Sequence, residues 1–311
     1  MILGIGGIKL NISMDWKGQL RYKYAMASMT EKLIGANVLF FVLTFVFKTI
    51  GFLFNSDGSF FLEWLVFDKE PFELLFKPWS IFSYAFLHAG FFHLLFNMIV
   101  LYFSGRFFLE FFSAKKMLNY YFLGALAGAL VFMLSYNLFP AFQGVGKSYL
   151  IGASASVMAI LVGIATKAPS ISMRFFLIGN VKLWHIAVVF VVLDVIRIPL
   201  GNAGGHLAHL GGAFLGYFYT KQLDKGIDIG SGFEKFMNSI TDYFTSFGQK
   251  KPTMKTVHKN KSRGENSSKS NLKKNEKQKR IDEILDKISK NGYDSLSKEE
   301  KDFLFNAGKD M

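Results

Sequence analysis

The sequence predicts an all-α fold, a polytopic membrane protein built as a bundle of six transmembrane helices. Just over half of its 311 residues are hydrophobic, 36 residues are Phe, and the mean hydropathy is positive. Soluble globular domains rarely have this composition. The apolar residues also gather into six runs. Each run is close to the length needed to cross a bilayer, which is about 20 helical residues for roughly 30 Å of hydrocarbon.

The predicted spans, in chain order, cover residues 34–54, 91–108, 117–139, 152–166, 181–200 and 206–220. The fourth span is the shortest. A helix that begins below the membrane surface needs fewer residues, so we expect this span to start inside the bundle. We expect no cleavable signal peptide, because a charged and polar stretch precedes the first apolar run.

Positive charge is distributed unevenly among the connections. Segment 1–32 and the connections after the second and fourth spans are rich in Lys and Arg, whereas the other connections have few or also contain acids. Lys and Arg are retained on the cytoplasmic side. We therefore expect both termini to be cytoplasmic, in a bacterial inner (plasma) membrane. The sequence has no cysteine, which excludes disulfides and thiol chemistry.

The tail after residue 220 is basic, with 20 Lys or Arg against 14 Asp or Glu. Contact with anionic membrane lipids explains this charge better than nucleic acid does, and no nucleic-acid partner is expected. Phe233, Phe236, Ile240 and Phe244 recur at helical spacing, which predicts an amphipathic helix on the membrane surface.

Four regions follow from these patterns. They are a cytoplasmic N-terminal segment (1–32), a six-helix membrane domain (33–220), an amphipathic segment with a disordered basic linker (221–276) and a small helical hairpin (277–311) of unknown partner. In the hairpin, Asn291 and Gly292 predict the end of one helix, and Ser297 with Glu300 predicts a capping box that opens the next.

Polar side chains occur near the start of three predicted spans. The second span begins with His93 and Asn97, the fourth with Gly152 and Ser154, and the sixth contains His209. Polar groups at membrane depth normally face a bundle interior or a water-filled cavity. These three spans all run inward from the outer face, and His93 and Asn97 share one helix face. We therefore expect the side chains to meet just below the outer surface.

These residue types match the needs of acyl transfer. A serine hydroxyl requires a base within hydrogen-bond reach, and His209 is the candidate base for Ser154. The developing oxyanion requires preorganised donors. The Ser154 amide, at a helix start where backbone N–H groups lack partners, can serve with Asn97 and His93.

Small residues line the two helices that must bring Ser154 and His209 together. Gly212 and Gly216 lie on roughly the same side of the sixth span as His209, and Ala155 begins a comparable seam on the fourth. Small residues let helix backbones approach closely. We therefore expect these two spans to pack tightly.

Over residues 77–219 the chain resembles the rhomboid intramembrane serine proteases. The likeness rests on His-x-x-x-Asn in span two, Gly-x-Ser at the head of span four and Ala-His-x-x-Gly in span six. The resemblance implies a rhomboid-like bundle that hydrolyses peptide bonds in or near transmembrane segments. It implies Ser154 as nucleophile, His209 as base, His93 and Asn97 as oxyanion donors, and His88 as a mainly structural histidine.

The chain departs from the family pattern at three places. Ala155 replaces the usual Gly after the nucleophile, Met158 replaces a frequent Tyr, and Ser80 replaces the Arg that often follows the loop residue Trp79. None of these changes removes a group that makes or breaks bonds. They leave the rate and the substrate preference open.

Other polar residues also lie in the predicted spans. We interpret Asp194 and Arg197 as a local pair, and His206 as a residue that lines the opening or packs. With no acidic third member evident, we expect Ser154 and His209 to act as a dyad. A metalloprotease would need a His-Glu-x-x-His motif, which is absent, so no metal or cofactor is expected. A transporter would be expected to show repeat symmetry between two halves of the chain, which the sequence does not show. A catalytically inactive rhomboid-like protein that binds membrane helices is the alternative.

The expected partners are transmembrane protein substrates and membrane lipids. The sequence does not indicate the substrate identity, the gating helix or the oligomeric state.

Overall fold

The computed structural model describes residues 15–56, 58–175, 179–248 and 268–309. These residues form thirteen α-helices and two two-stranded sheets. The helices are α1 (Trp16–Met26), α2 (Met29–Leu53), α3 (Phe60–Leu65), α4 (Glu73–Phe76), α5 (Ser80–Ser83), α6 (Phe91–Phe111), α7 (Ala114–Leu138), α8 (Ser154–Lys167), α9 (Leu183–Arg197), α10 (Ala203–Asp224), α11 (Ser231–Gly248), α12 (Ser268–Asn291) and α13 (Lys298–Lys309). The strands are β1 (Phe67–Asp68), β2 (Tyr149–Leu150), β3 (Ser172–Phe175) and β4 (Gly179–Lys182). Contacts divide the chain into two compact units, Met1–Thr245 and Ser246–Met311.

An all-α polytopic membrane architecture is confirmed. Each of the six predicted spans coincides with one helix, α2 or one of α6 to α10. By length and composition α2, α6, α7 and α9 with its 3-10 extension are long and apolar enough to cross a membrane, and α8 is a shorter apolar helix. Helix α2 begins at Met29, earlier than residue 34, because Ser28 and Glu31 form a capping box there.

Helix α8 lies at the centre of the bundle. Nearly all of its side chains from Ala155 onward are buried, and it packs chiefly against α10, α7 and α6. On α10, a Cβ added at Gly212 or Gly216 would overlap the backbone of Ala155 or Ala159. The small-residue seam predicted between the fourth and sixth spans is therefore a direct backbone contact.

Helix α7 closes on the other side of α8 in the same way. A Cβ added at Gly124 would lie 2.7 Å from the Cβ of Ala159. The Ser156 hydroxyl donates a hydrogen bond to the Tyr121 carbonyl at 2.6 Å. The Tyr121 hydroxyl in turn donates to the Ala85 carbonyl at 2.8 Å, which ties the loop before α6 to the bundle. These buried bonds satisfy polar groups that would otherwise be costly at this depth.

A short antiparallel ladder fixes the segment before α8. Strand β1 pairs with β2, with Phe67 opposite Leu150. Two residues on, the Gly152 amide donates to the Tyr84 carbonyl at 3.0 Å. The start of α8 is thus held by backbone bonds from the long loop between α2 and α6.

The segment predicted to be amphipathic forms helix α11. Phe233 packs against Phe82 and Phe122, with ring centroids 6.0 and 5.9 Å away. Lys116, near the start of α7, pairs with Asp228 and Glu234. These contacts fasten the beginning of the tail to the membrane domain.

The second unit is a helical hairpin of α12 and α13. Helix α12 ends at Asn291, and Gly292 follows with a φ of 78°. The backbone N–H of Ser297 donates to Glu300 at 2.7 Å and the Ser297 hydroxyl accepts from the Glu300 amide. The Ser297 amide and then Lys287 hold the pKa of Glu300 below its usual value.

The predicted disordered linker falls largely on residues 249–267, which lie outside the described residues. Its last part was predicted wrongly as irregular, because α12 begins at Ser268, ahead of residue 277. The Lys and Glu residues there are good helix formers, so they continue the helix that the later apolar face predicts.

Candidate active site

A cavity of about 350 Å³ opens among the helices that carry the predicted polar groups. Its lining consists of His93, Phe96, Asn97, Val100, Ser154, Val157, Met158, Phe190, Arg197 and His209. The structure therefore brings Ser154, His209, His93 and Asn97 to one place. Most of the remaining lining is apolar.

Ser154 is the first residue of α8. The first backbone N–H groups of a helix have no intrahelical partner and lie at its positive dipole end, so the Ser154 amide is available to an anion. Gly152 precedes it with a φ of 130°, a conformation that L side chains rarely adopt. A Cβ at Gly152 would also lie 2.9 Å from Nε2 of His93. Glycine is needed here for both reasons.

Ala155 does not strain the helix start. It lies within α8, and the positive-φ residues other than glycine in the described chain are Asn55 and Asn202. Its methyl group fills the space against Gly128 on α7. The departure from the family pattern at this position is therefore a matter of packing between helices.

His93 and Asn97 occupy the first two turns of α6. The Asn97 amide group donates one hydrogen bond to the His93 carbonyl at 2.9 Å. An amide nitrogen has two N–H groups, so a second donor remains for an oxyanion. The His93 ring packs edge-on against His88, with centroids 5.1 Å apart.

His88 lies in the loop before α6, and its ring packs against the ring of His93. Neither of its ring nitrogens has a hydrogen-bond partner among the described residues. Burial, followed by the nearby His93, lowers the pKa of His88 to about 3. Burial therefore favours the neutral form of His88, whose ring packs against His93.

His209 lies in the second turn of α10, on the helix that contacts α8. Its Nδ1 is 2.8 Å from Oδ1 of Asp194, on α9. Within the described residues, no hydrogen bond joins Ser154 to His209; both line the cavity. Gly212 places α10 against the backbone of Ala155, one residue after the serine.

Asp194 contacts His209, which the sequence analysis did not predict. The expected pair with Arg197 is not among the ion pairs of the described residues, and Arg197 instead lines the cavity. Asp194 is a buried residue, and its Oδ1 lies 2.8 Å from Nδ1 of both His206 and His209. The sequence does contain a signal for this contact, a carboxylate near the end of one predicted span and two histidines near the start of the next.

The region that contains the cavity matches a known protein family. Residues 76–224 match the family model described as Rhomboid domain. The chain contains a rhomboid domain. All the cavity residues named above lie within it. Residues 267–306, in the second unit, match a family of unknown function, DUF6576.

Two curated relatives of the rhomboid domain are distant. Presenilin-associated rhomboid-like protein A, mitochondrial, of Danio rerio is 29% identical over 138 residues, 43% of this chain and 35% of the relative. RHOMBOID-like protein 12, mitochondrial, of Arabidopsis thaliana is 26% identical over 157 residues, 47% of each chain. The chain thus spans less than half the length of these relatives. Both are named as mitochondrial, so they do not support the expected bacterial membrane.

Proposed function

We propose that the rhomboid domain is an intramembrane serine protease that hydrolyses peptide bonds in or near transmembrane segments of other membrane proteins. The observation that carries this proposal is the single cavity lined by Ser154, His209, His93 and Asn97. A nucleophile, a base and oxyanion donors are the parts that acyl transfer requires.

In the proposed reaction Ser154 Oγ attacks the scissile carbonyl carbon while its proton passes to Nε2 of His209. The Ser154 amide, Asn97 and His93 donate hydrogen bonds to the resulting oxyanion. The C–N bond then breaks, and the leaving amine takes the proton from His209. Water, activated by the same imidazole, hydrolyses the acyl-enzyme and restores the Ser154 hydroxyl. No cofactor or metal takes part.

The cavity suits an unwound peptide better than a helix. A carbonyl in a regular helix is already hydrogen-bonded and shielded by side chains, so a substrate must open locally before it is attacked. The space of about 350 Å³ accepts a few residues, and Phe96, Val100 and Phe190 give it apolar walls. Segments with Gly, Pro or other small residues should therefore be preferred.

The chain is an integral membrane protein, and its orientation is part of the proposal. The excess of Lys and Arg in segment 1–32 and after the second and fourth spans supports cytoplasmic termini. A bacterial plasma membrane, with anionic lipid beneath the basic tail, would fit this arrangement. Reporter fusions at each terminus and in the outer loops test it.

Cleavage of a membrane-anchored reporter in proteoliposomes tests the protease proposal. We expect the wild type to cleave it, and Ser154→Ala and His209→Ala to lose at least about 10³-fold in rate. Ser156→Ala is the matched control, because Ser156 lies in the same helix but bonds to the Tyr121 carbonyl and lies outside the cavity lining.

Two results would count against a protease. Undiminished cleavage by Ser154→Ala would refute the nucleophile. No cleavage by the folded wild type, across a panel of substrates with small and helix-breaking residues, would favour a rhomboid-like protein that binds membrane helices without cutting them.

A further inference from the structure

We propose that Asp194 is a positioning residue that orients His209 as the general base, and that His206 holds the same carboxylate in place. This inference rests on the proposed protease function and extends it from a dyad to a chain of Ser154, His209 and Asp194. His206 is its outer support.

The hydrogen-bond chemistry fixes which nitrogen of His209 is free. Nδ1 lies 2.8 Å from Oδ1 of Asp194, an ordinary hydrogen-bond length. An ionised carboxylate can only accept, so Nδ1 carries the proton that it donates. A neutral imidazole has one N–H group, and Nε2 is then left with its lone pair. That tautomer is the one able to take the Ser154 proton.

The neighbouring histidine restrains the carboxylate. His206 and His209 are three residues apart on α10 and therefore share a face. Nδ1 of His206 reaches the same Oδ1 of Asp194, also at 2.8 Å. The two rings meet edge-on, with centroids 5.8 Å apart. His206 lies outside the cavity lining, which indicates a supporting role.

The three side chains of this cluster are largely buried, so the loss of a hydrogen bond among them would be costly. The side chains of Asp194, His206 and His209 are 9%, 13% and 22% exposed. A carboxylate within a membrane bundle is costly unless it is paired and hydrogen-bonded, and two imidazole N–H groups provide that pairing. When His209 becomes an imidazolium during attack, the adjacent negative charge stabilises it.

The same three groups could also hold a metal ion, since their ligand atoms all lie within 4.8 Å of one another. The shared oxygen at hydrogen-bond distance from both rings favours direct bonds. A metal ion on Nδ1 of His209 would replace the proposed hydrogen bond. It would therefore overturn the proposal.

The kinetic test compares Asp194→Asn with Asp68→Asn, an identical chemical change in β1 outside the cavity. We expect Asp194→Asn to lower kcat by about 10²-fold to 10⁴-fold, with KM changed much less, because serine proteases lose about 10⁴-fold when the corresponding aspartate becomes asparagine. Asp68→Asn should cleave like the wild type. Wild-type kcat in folded Asp194→Asn overturns the proposal, and so does loss of wild-type activity on chelation that added zinc restores.

The direct test does not depend on cleavage. In protein labelled with ¹⁵N-histidine and carrying Ser154→Ala, NMR should show His209 protonated on Nδ1, with a His209→Gln variant giving the assignment. Adding Asp194→Asn should shift the proton toward Nε2. A His209 protonated on Nε2 before that change, or a tautomer unaffected by it, would overturn the proposal. This readout remains valid even if the cleavage assay refutes the protease function.

Discussion

At the scale of single residues, the site depends on conformation as much as on chemical type. Gly152 has a positive φ and directly faces the His93 ring, so no other residue fits without moving one of them. Ala155, in contrast, is a regular helical residue packed on α7. The strict requirement for glycine therefore lies before Ser154, and the position after it tolerates a methyl group.

We expect Gly152→Ala to lower cleavage about tenfold to 100-fold, because strain of roughly 1–3 kcal/mol falls on the segment that presents Ser154 and His93. Gly146→Ala is the matched control in the same loop, where an added Cβ meets nothing within 4 Å. Reporter cleavage in proteoliposomes measures the difference. Equal rates for the two variants would show that this glycine is dispensable.

His206→Ala tests the outer support of the carboxylate. Asp194 would keep its bond to His209 but lose one of its two donors, so kcat should fall by about tenfold or less, an effect smaller than that of Asp194→Asn. The comparison uses the same reporter and the same lipid. A larger loss for His206→Ala than for Asp194→Asn would assign His206 a direct part in the reaction.

At the scale of elements, α8 is packed closely on two sides. Gly212 and Gly216 bring α10 onto its backbone, and Gly124 brings α7 onto Ala159. Such contacts hold helices together in lipid, where dispersion and close backbone approach replace the hydrophobic effect. The position of Ser154 relative to His209 therefore depends on a glycine contact between α10 and α8.

Gly212→Ala should destabilise the bundle by about 1–3 kcal/mol, because the new methyl group overlaps the Ala155 backbone. It should also reduce cleavage, since α8 and α10 must separate. Gly35→Ala, on α2 with open space around it, should be neutral. Unfolding in detergent with a graded denaturant measures both variants, and an unchanged midpoint for Gly212→Ala would contradict the packing argument.

At the scale of the whole chain, the rhomboid domain and the DUF6576 region lie in separate units. Helix α11 stays with the first unit through Phe233 and the Lys116 pairs. A cut after Thr245 should therefore leave cleavage of a simple reporter within about twofold of the full chain. A cut after Lys225 also removes α11 and should lower the unfolding midpoint. Loss of all cleavage on the first cut would show that the second unit takes part in the reaction.

Much of this organisation follows from local patterns. Apolar runs located all six bundle helices, and the order of the motifs predicted that Ser154, His209, His93 and Asn97 line one cavity. Those predictions succeed because the length of a span depends on hydropathy, and its direction depends on the number of spans that precede it. The catalytic roles of these residues remain predictions until cleavage is measured.

The sequence alone determined that this is a membrane protein, where its helices lie, and which side chains could take part in acyl transfer. Each of these features is encoded within a single segment. Only the tertiary structure decided the partner of Asp194 and which neighbouring backbone each glycine contacts. Helix α9 is apolar on nearly every side, so its sequence does not reveal its rotation about its own axis. The packing of α9 against α10 sets that rotation and turns the carboxylate toward two histidines.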